Sequence, residues 1–308
     1  MRKNKKIKRI NMANKDLKGA IIINAFNKTE SQTHQAKRMQ EEFTLLGYDV
    51  PIIKREPDGA FLSENNVRSI YSDLDFAVYF DKDKYFSKVL MLLGIRVFNS
   101  HESIVICDDK GETFLALSGK NINMPKTVFA PLCYTKDAKY TKLDAQKIIN
   151  VIGLPVIVKE SYGSLGLGVY KANTEDELLS LMNLLKLKPH LYQQYVGQKP
   201  GKDVRVILVD KKVVASMERF NEKDFRSNVA QGGTGKKITL NKDFTAICEK
   251  VANILNLDYC GIDVLYGEND EPVICEVNSN AFMLGIESVT GVNVARVYAK
   301  HIISQMLK

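Results

Sequence analysis

The chain has 308 residues, 45% of them apolar, and a formal net charge of +8; six lysines and arginines fall in its first nine residues. That length and apolar content suffice for two domains or for one core split by a cleft. No apolar run reaches the ~18 residues of a membrane span, and no motif interleaves basic and aromatic residues as nucleic-acid binding does. The five cysteines form no Cys-x-x-Cys pair, which argues against a disulfide framework or a zinc site and fits a reducing cytosol.

Residues 1–9 are basic but run into a polar stretch rather than an apolar signal core, so residues 1–15 read as a disordered tail, with Met12 as a second start. Residues 19–25 form a buried-strand candidate. Ala36, Met39, Phe43 and Leu46 then recur at helical spacing, and residues 48–54 read as a second strand. A strand at 74–80, a helix at 84–93 and a strand at 95–98 continue the alternation, which predicts a small parallel sheet with covering helices. No Gly-x-Gly-x-x-Gly follows the first strand, against dinucleotide binding. Asn24, Asn27 and Thr29 are candidate ligand contacts, because ligands favour that end of strands in open α/β sheets.

Residues 100–120 carry helical periodicity through Ile104, Cys107, Phe114 and Leu117, and Lys110 within them reads as a solvated helix lysine. The strand 156–159 ends on Lys159 and opens a hairpin holding Gly163, Ser164, Gly166 and Gly168. Glycines let backbone amides approach an anion, and Lys159 brings positive charge to the same place; an ordinary flexible loop is the alternative. It is not a Walker A sequence. Asn173 reads as the cap of a helix through Leu178, Leu181 and Leu185, with Glu175, Asp176 and Glu177 in its first turn. Strands follow at 190–196, 203–210 and 212–219, and alternation sets Asp203 and Arg205 on one face. In and before the long polar loop 221–237, Arg219 and Arg226 form either a guanidinium clamp for phosphate or carboxylate or incidental charges of a solvated segment. A helix at 242–255 precedes strands 259–266 and 272–278. Glu276 and Asn278 share a face of the second strand, and pairing brings Asp263 beside them. Two carboxylates and an amide oxygen suit a hard cation such as Mg²⁺; an ordinary solvated hairpin is the alternative. A helix at 292–306 closes the chain.

In order and spacing, Lys159, Gly163-Ser164-Leu165-Gly166-Leu167-Gly168, Gln193-Gln194-Tyr195-Val196, Asp203-Val204-Arg205, Glu218-Arg219, Asp224-Phe225-Arg226-Ser227-Asn228, Gly261-Ile262-Asp263, Glu276-Val277-Asn278 and Gly285-Ile286-Glu287 resemble the ATP-grasp superfamily. Within it they resemble the RimK-like carboxylate-amine ligases, which attach glutamate to an acceptor. The resemblance runs from about residue 108 to 306 and implies a combined α/β and α+β fold. A small parallel-sheet domain (16–100) would precede a two-part ATP-grasp fold, a central subdomain at 101–188 and a C-terminal one at 189–308. It further implies that ATP lies with its phosphates against Lys110, Lys159 and the glycine hairpin. Adenine would rest on Gln194, Tyr195 and Val196, with Asp203 and Arg205 near the ribose. Asp263, Glu276 and Asn278 would carry one or two Mg²⁺ ions, with Mn²⁺ as a substitute. Arg219, Arg226 and Asn228 would face the transferred phosphate.

The implied activity is ATP-dependent amide bond formation through an acyl phosphate, adding glutamate or another amino acid to a peptide or small-molecule acceptor in the cytoplasm. The enzyme would act as a dimer or tetramer. An ATP-grasp kinase acting on a hydroxyl and a noncatalytic nucleotide-binding regulator are the alternatives. One departure concerns the substrate side. The family often follows the metal-site asparagine with a Pro-Gly turn, whereas here Asn278 leads into Ser279-Asn280-Ala281-Phe282-Met283.

Overall fold

The first apolar run forms β1 (Gly19–Ile23), buried at every position as an inner strand of a parallel sheet must be. The computed structural model describes residues 17–26, 29–164, 166–227 and 233–308; the basic tail, Asn27 and Asn228 lie outside them. The chain divides into two units, residues 1–98 with 295–308, and residues 99–294.

In the first unit β1 lies between β2 (Ile52–Lys54) and β5 (Phe76–Phe80), and β6 (Arg96–Phe98) completes an all-parallel sheet of order β2-β1-β5-β6. Helix α1 (Glu30–Leu45) follows β1, and α2 (Lys84–Leu92) follows β5, capped by the Asp83 side chain. A hairpin, β3 (Ala60–Ser63) with β4 (Asn66–Ser69), is inserted between β2 and β5. The two described candidates at the end of β1 have structural work. The Asn24 amide donates to Asp81 Oδ2 at 3.0 Å, its oxygen accepts from the Phe26 amide at 2.8 Å, and Thr29 caps α1. Arg296, in the C-terminal stretch, pairs with the buried Glu42 of α1 at 2.8 Å.

The second unit opens with α3 (His101–Asp108) and α4 (Lys110–Leu117), two helices where periodicity predicts one. The break is Asp109, whose backbone is extended and whose carboxylate accepts from the Gly111 amide at 2.7 Å and from the Glu112 amide. An N-cap inside the apolar pattern thus starts a new helix, and Lys110 becomes its first residue, buried rather than solvated.

An antiparallel sheet follows, of order β7-β10-β8-β9, built from β7 (Thr127–Phe129), β8 (Val156–Glu160), β9 (Val169–Ala172) and β10 (His190–Gln194). Val156, Val158, Ala172 and Tyr192 point to a core shared with α5 (Lys142–Ile152) and α6 (Glu175–Leu185). Alternation sends Ile157, Lys159 and Gln193 to the other face. The cap of α6 is Thr174, one residue beyond the expected Asn173.

The last sheet has the order β13-β12-β11-β14-β15, from β11 (Lys202–Val209), β12 (Lys212–Phe220), β13 (Thr234–Lys237), β14 (Tyr259–Tyr266) and β15 (Pro272–Asn278). Asp210 and Lys211, both with positive φ, make the tight turn between β11 and β12. Val204, Val206, Leu208, Cys260, Ile262 and Ile274 pack on α7 (Lys242–Ile254); the short α8 (Leu284–Thr290) follows β15. The register between β14 and β15 shifts after Asp263, so that Ile274 faces Val264 in the core while Glu276 faces Asp263 on the opposite side. Cys275 is the extra residue. Such a bulge re-aims side chains at the rim of a site.

Candidate functional site

The core-averted faces of the two antiparallel sheets enclose a cavity of about 100 Å³. From β8 come Ile157 and Lys159, and from β10 and the residues after it Gln193, Gln194, Tyr195 and Val196. The last sheet adds Lys202 and Asp203 of β11, Asp263 and Leu265 of β14, and Cys275 and Glu276 of β15. Lys110, Pro125, Gly166, Val169, Phe225, Arg226 and Ser227 complete the wall. The elements therefore assemble a basic end, an apolar slot and an acidic end in one hollow.

Two lysines and an arginine mark the basic end. Lys110 Nζ donates to the Gly163 carbonyl at 3.0 Å, and Arg226 donates to the Gly166 carbonyl at 3.0 Å, so both cations grip the glycine hairpin. Gly163, Gly166 and Gly168 all adopt positive φ, and a Cβ at 168 would press on the Glu160 side chain at 3.1 Å. Lys159 is 7% exposed, and its nearest partner is Cys275 Sγ at 3.6 Å. Among the described residues this buried ammonium meets a thiol alone, which leaves its charge available to an anion. Burial pushes the Cys275 thiol up, opposed by Lys159.

At the acidic end, register dictates the contacts. Asp203 lies opposite Arg219 across β11 and β12, and Arg205 lies opposite Asp263 across β11 and β14. Arg219 Nε donates to Asp203 Oδ1 at 2.7 Å, and a second guanidinium nitrogen reaches Asp263 Oδ2 at 2.9 Å. Arg205 engages both Asp263 oxygens, through Nε and, at 2.8 Å, through a terminal nitrogen. The array is buried and electrically balanced, with its carboxylates in the cavity wall and its guanidinium groups behind. Burial works against an ionised Asp263, but Arg205 and Arg219 together outweigh it and hold its carboxyl below the usual range. Asp203 has one arginine and a second carboxylate nearby; there burial prevails and the carboxyl is raised. Arg219 is desolvated too, yet Asp263 and Asp203 raise its pKa.

The donor chemistry fits a hard cation. Glu276 faces the cavity opposite Asp263, and its carboxylate makes no ion pair or hydrogen bond among the described residues. A carboxylate offers about four lone-pair sites; three on Asp263 meet arginine donors, which leaves one. No group of three or more His, Cys, Asp or Glu that could hold a metal ion occurs among the described residues, so a cation held by Asp263 and Glu276 would take its other ligands from amide, water or phosphate oxygen. Asn278 qualifies by type; it pairs with Gly261 on the Glu276 face of β15.

Of the residues singled out in the sequence, Lys110, Lys159, Gly166, Gln194, Tyr195, Val196, Asp203, Arg226, Asp263 and Glu276 line the cavity. Gly163, Ser164 and Gly168 belong to the hairpin beside it, Asn278 sits past its edge, and Arg205 and Arg219 stand behind the carboxylates. Gln193, Lys202 and Cys275 line the cavity without having been singled out as contacts. The divergent segment after Asn278 is pinned by groups the sequence did not flag. Asn99 donates to the Ser279 carbonyl at 2.8 Å, and the Tyr259 hydroxyl donates to the Ala281 carbonyl at 2.7 Å. Gly261 leaves room for this, since a Cβ there would fall 2.5 Å from that of Ala281.

Comparison with known proteins agrees with this architecture. The family model described as the RimK-like ATP-grasp domain matches residues 107–302. N-acetylaspartylglutamate synthase A of Homo sapiens is 32% identical over 238 residues, covering 77% of this chain and 57% of the relative. A probable alpha-L-glutamate ligase of Vibrio atlanticus is 36% identical over 207 residues, 66% of each chain. The chain thus spans little more than half the length of the synthase it matches. The structure of the ATP-grasp ligase PsnB, complexed with a precursor variant, Mg and ADP, superimposes with a TM-score of 0.67 at 17% identity, covering 95% of this chain and 99% of that one. The chain belongs to the RimK-like ATP-grasp family.

Proposed function

We propose that the chain is an ATP- and Mg²⁺-dependent carboxylate-amine ligase that joins glutamate, or a related amino acid, to a carboxylate acceptor with release of ADP and phosphate. The observation that carries this reading is the pairing, in one cavity, of the buried, weakly partnered Lys159 with the carboxylate of Glu276, unpaired among the described residues, beside Asp263. The first suits an anion and the second a cation, the two halves of a metal-nucleotide complex. The names of the glutamate-adding relatives support the amino acid.

A carboxylate is a poor electrophile. In this reading its oxygen attacks the terminal phosphorus and ADP leaves. The amine then attacks the acyl carbon, and phosphate departs with the original carboxylate oxygen. Lys110, Lys159 and Arg226 neutralise the phosphate charge as it redistributes, a task of positioning and electrostatics. Asp263, Glu276 and Asn278 would hold Mg²⁺, which supplies further charge neutralisation. Arg205 and Arg219, held behind Asp263, keep that carboxylate oriented and ionised. Ligand sites commonly measure roughly 300–1,000 Å³, so a cavity of about 100 Å³ has to widen. The glycine hairpin, tied down by Lys110 and Arg226, is the element to lift and then close over the phosphates, excluding water from the acyl phosphate.

The test is ADP release by the purified chain with Mg·ATP, with glutamate and other amino acids screened singly and against a panel of carboxylate acceptors, followed by mass spectrometry of the mixtures. A condensed product heavier by the added residue is expected. A stable phosphorylated hydroxyl compound, with no amine consumed, would replace the ligase by a kinase.

A further inference from the structure

The bulge after Asp263 turns two consecutive residues of β15 to one face: Ile274 and Val277 pack into the core, while Cys275 and Glu276 both line the cavity. Cys107, Cys248 and Cys260 belong to the core beneath the last sheet, and Cys133 rests its thiol on the Thr135 carbonyl at 3.3 Å, away from the cavity. Cys275 is thus a nucleophile inside a binding cavity, and the ligation chemistry gives it no task. What sets it apart is its neighbour. Its Sγ lies 3.6 Å from Lys159 Nζ, an ammonium 7% exposed that meets this thiol alone among the described residues. A thiol is a weak acceptor for an ammonium with three donors, so the wall beside Cys275 has room for an oxygen that Lys159 can hold. A nucleotide phosphate would supply that oxygen. So would an oxygen bonded to the sulfur itself, since a sulfur–oxygen bond is much shorter than the distance from Sγ to Nζ.

We propose that Cys275 is a peroxide-modified site whose oxidation shuts the cavity to nucleotide by giving Lys159 an oxygen of its own. This rests on the reading of the cavity as a nucleotide site and adds a control upon it. The sulfur attacks one oxygen of hydrogen peroxide; a sulfur–oxygen bond forms, the oxygen–oxygen bond breaks, and the leaving hydroxide departs as water with the thiol proton. Sulfur is oxidised to the sulfenic acid and peroxide is reduced. Hydrogen peroxide is little larger than water, and a cavity of about 100 Å³ admits it. Burial opposes the charge that develops on sulfur during the attack and Lys159 favours it, so the reaction is slower than at an exposed thiolate. The sulfenic oxygen then accepts from Lys159 Nζ and stands where a phosphate oxygen would. A small thiol reverses the step: one molecule forms a mixed disulfide with loss of water, and a second releases Cys275 and leaves as the reductant's disulfide.

The experiment treats the full chain with hydrogen peroxide, with and without Mg·ADP, and quenches it in denaturant containing dimedone, which traps sulfenic acid for location by mass spectrometry. ADP affinity in the presence of Mg²⁺ is measured before peroxide, after it and after dithiothreitol, for the wild type and for Cys275→Ser and Cys133→Ser, with thermal melts to confirm folding. Dimedone should mark Cys275 in the ligand-free chain and leave it largely unmarked when Mg·ADP is bound, an arm that needs no variant. Oxidation should weaken ADP binding about 10- to 100-fold, the loss of one hydrogen bond to a charged group, and dithiothreitol should restore it. Peroxide should leave the affinity of Cys275→Ser at its own starting value, whereas Cys133→Ser should respond as the wild type does. No label on Cys275, labelling that Mg·ADP does not suppress, an unchanged affinity in the oxidised chain, a loss that dithiothreitol does not reverse, or an equal loss in Cys275→Ser overturns the proposal and leaves the ligase reading intact. An untreated wild type that binds no ADP overturns both together.

Discussion

Glu276 and Arg219 separate chemistry from scaffolding at the scale of single residues. Glu276→Gln removes a charge from the cavity wall with little change of volume and breaks no ion pair among the described residues. Turnover should fall by roughly 100-fold or more while stability moves by less than about 0.5 kcal/mol. Steady-state rates and a denaturant titration check both halves; full activity in the variant would remove Glu276 from the metal site. Arg219→Met does the reverse in kind, stranding Asp203 without a cation and Asp263 with only Arg205. Breaking one partner of a buried pair costs about 3–5 kcal/mol, which chemical denaturation reads directly. An unchanged midpoint would show that the array is not held as described. The sequence left Arg219 and Arg226 a choice between clamp and incidental charge, and the resemblance set both facing the transferred phosphate. What it did not contain was the register, which sets Arg219 opposite Asp203 and behind the wall. Periodicity hid the burial of Lys110, which only the resemblance set at the phosphates, since hydrophobic spacing runs through Asp109 without betraying that its side chain caps a new helix.

Among the elements, the central sheet carries a titration of its own. His190 on β10 is buried, with Nδ1 donating to the Lys188 carbonyl at 2.7 Å and Nε2 accepting from the Tyr192 hydroxyl at 2.7 Å. Burial lowers its pKa, against the pull of the Lys188 carbonyl and Glu160. The neutral ring is the folded form, so the unfolded chain binds more protons between the depressed folded value and the unfolded value of about 6.5. Stability is therefore fully present above about pH 6.5 and declines as pH falls through that window. Melting temperature measured between pH 5 and 8 should show the decline, and His190→Gln should flatten it; the same slope in both proteins would exclude His190 as its source. Strand and helix identities were largely legible from periodicity, because one face of each antiparallel strand packs on helices and reads apolar. The bulge at Cys275 was not, since an extra residue in one strand shows only against its partner.

For the molecule as a whole, the motifs fixed the family, and the order of glycine hairpin, Asp203, Asp263 and Glu276 along the chain became one wall because the two antiparallel sheets turn their core-averted faces to the same hollow. The substrate side was less legible. The segment after Asn278 departs from the common Pro-Gly turn and is held instead by Asn99 and Tyr259, residues far from it in sequence. The central claim is that a carboxylate is activated by phosphorylation before an amine takes it. Its most direct measurement supplies the acceptor with ¹⁸O in its carboxylate and follows the label by mass spectrometry of the released phosphate. Activation as proposed leaves one ¹⁸O in inorganic phosphate for each amide formed. Amide formation with unlabelled phosphate, or label recovered in AMP, would contradict it.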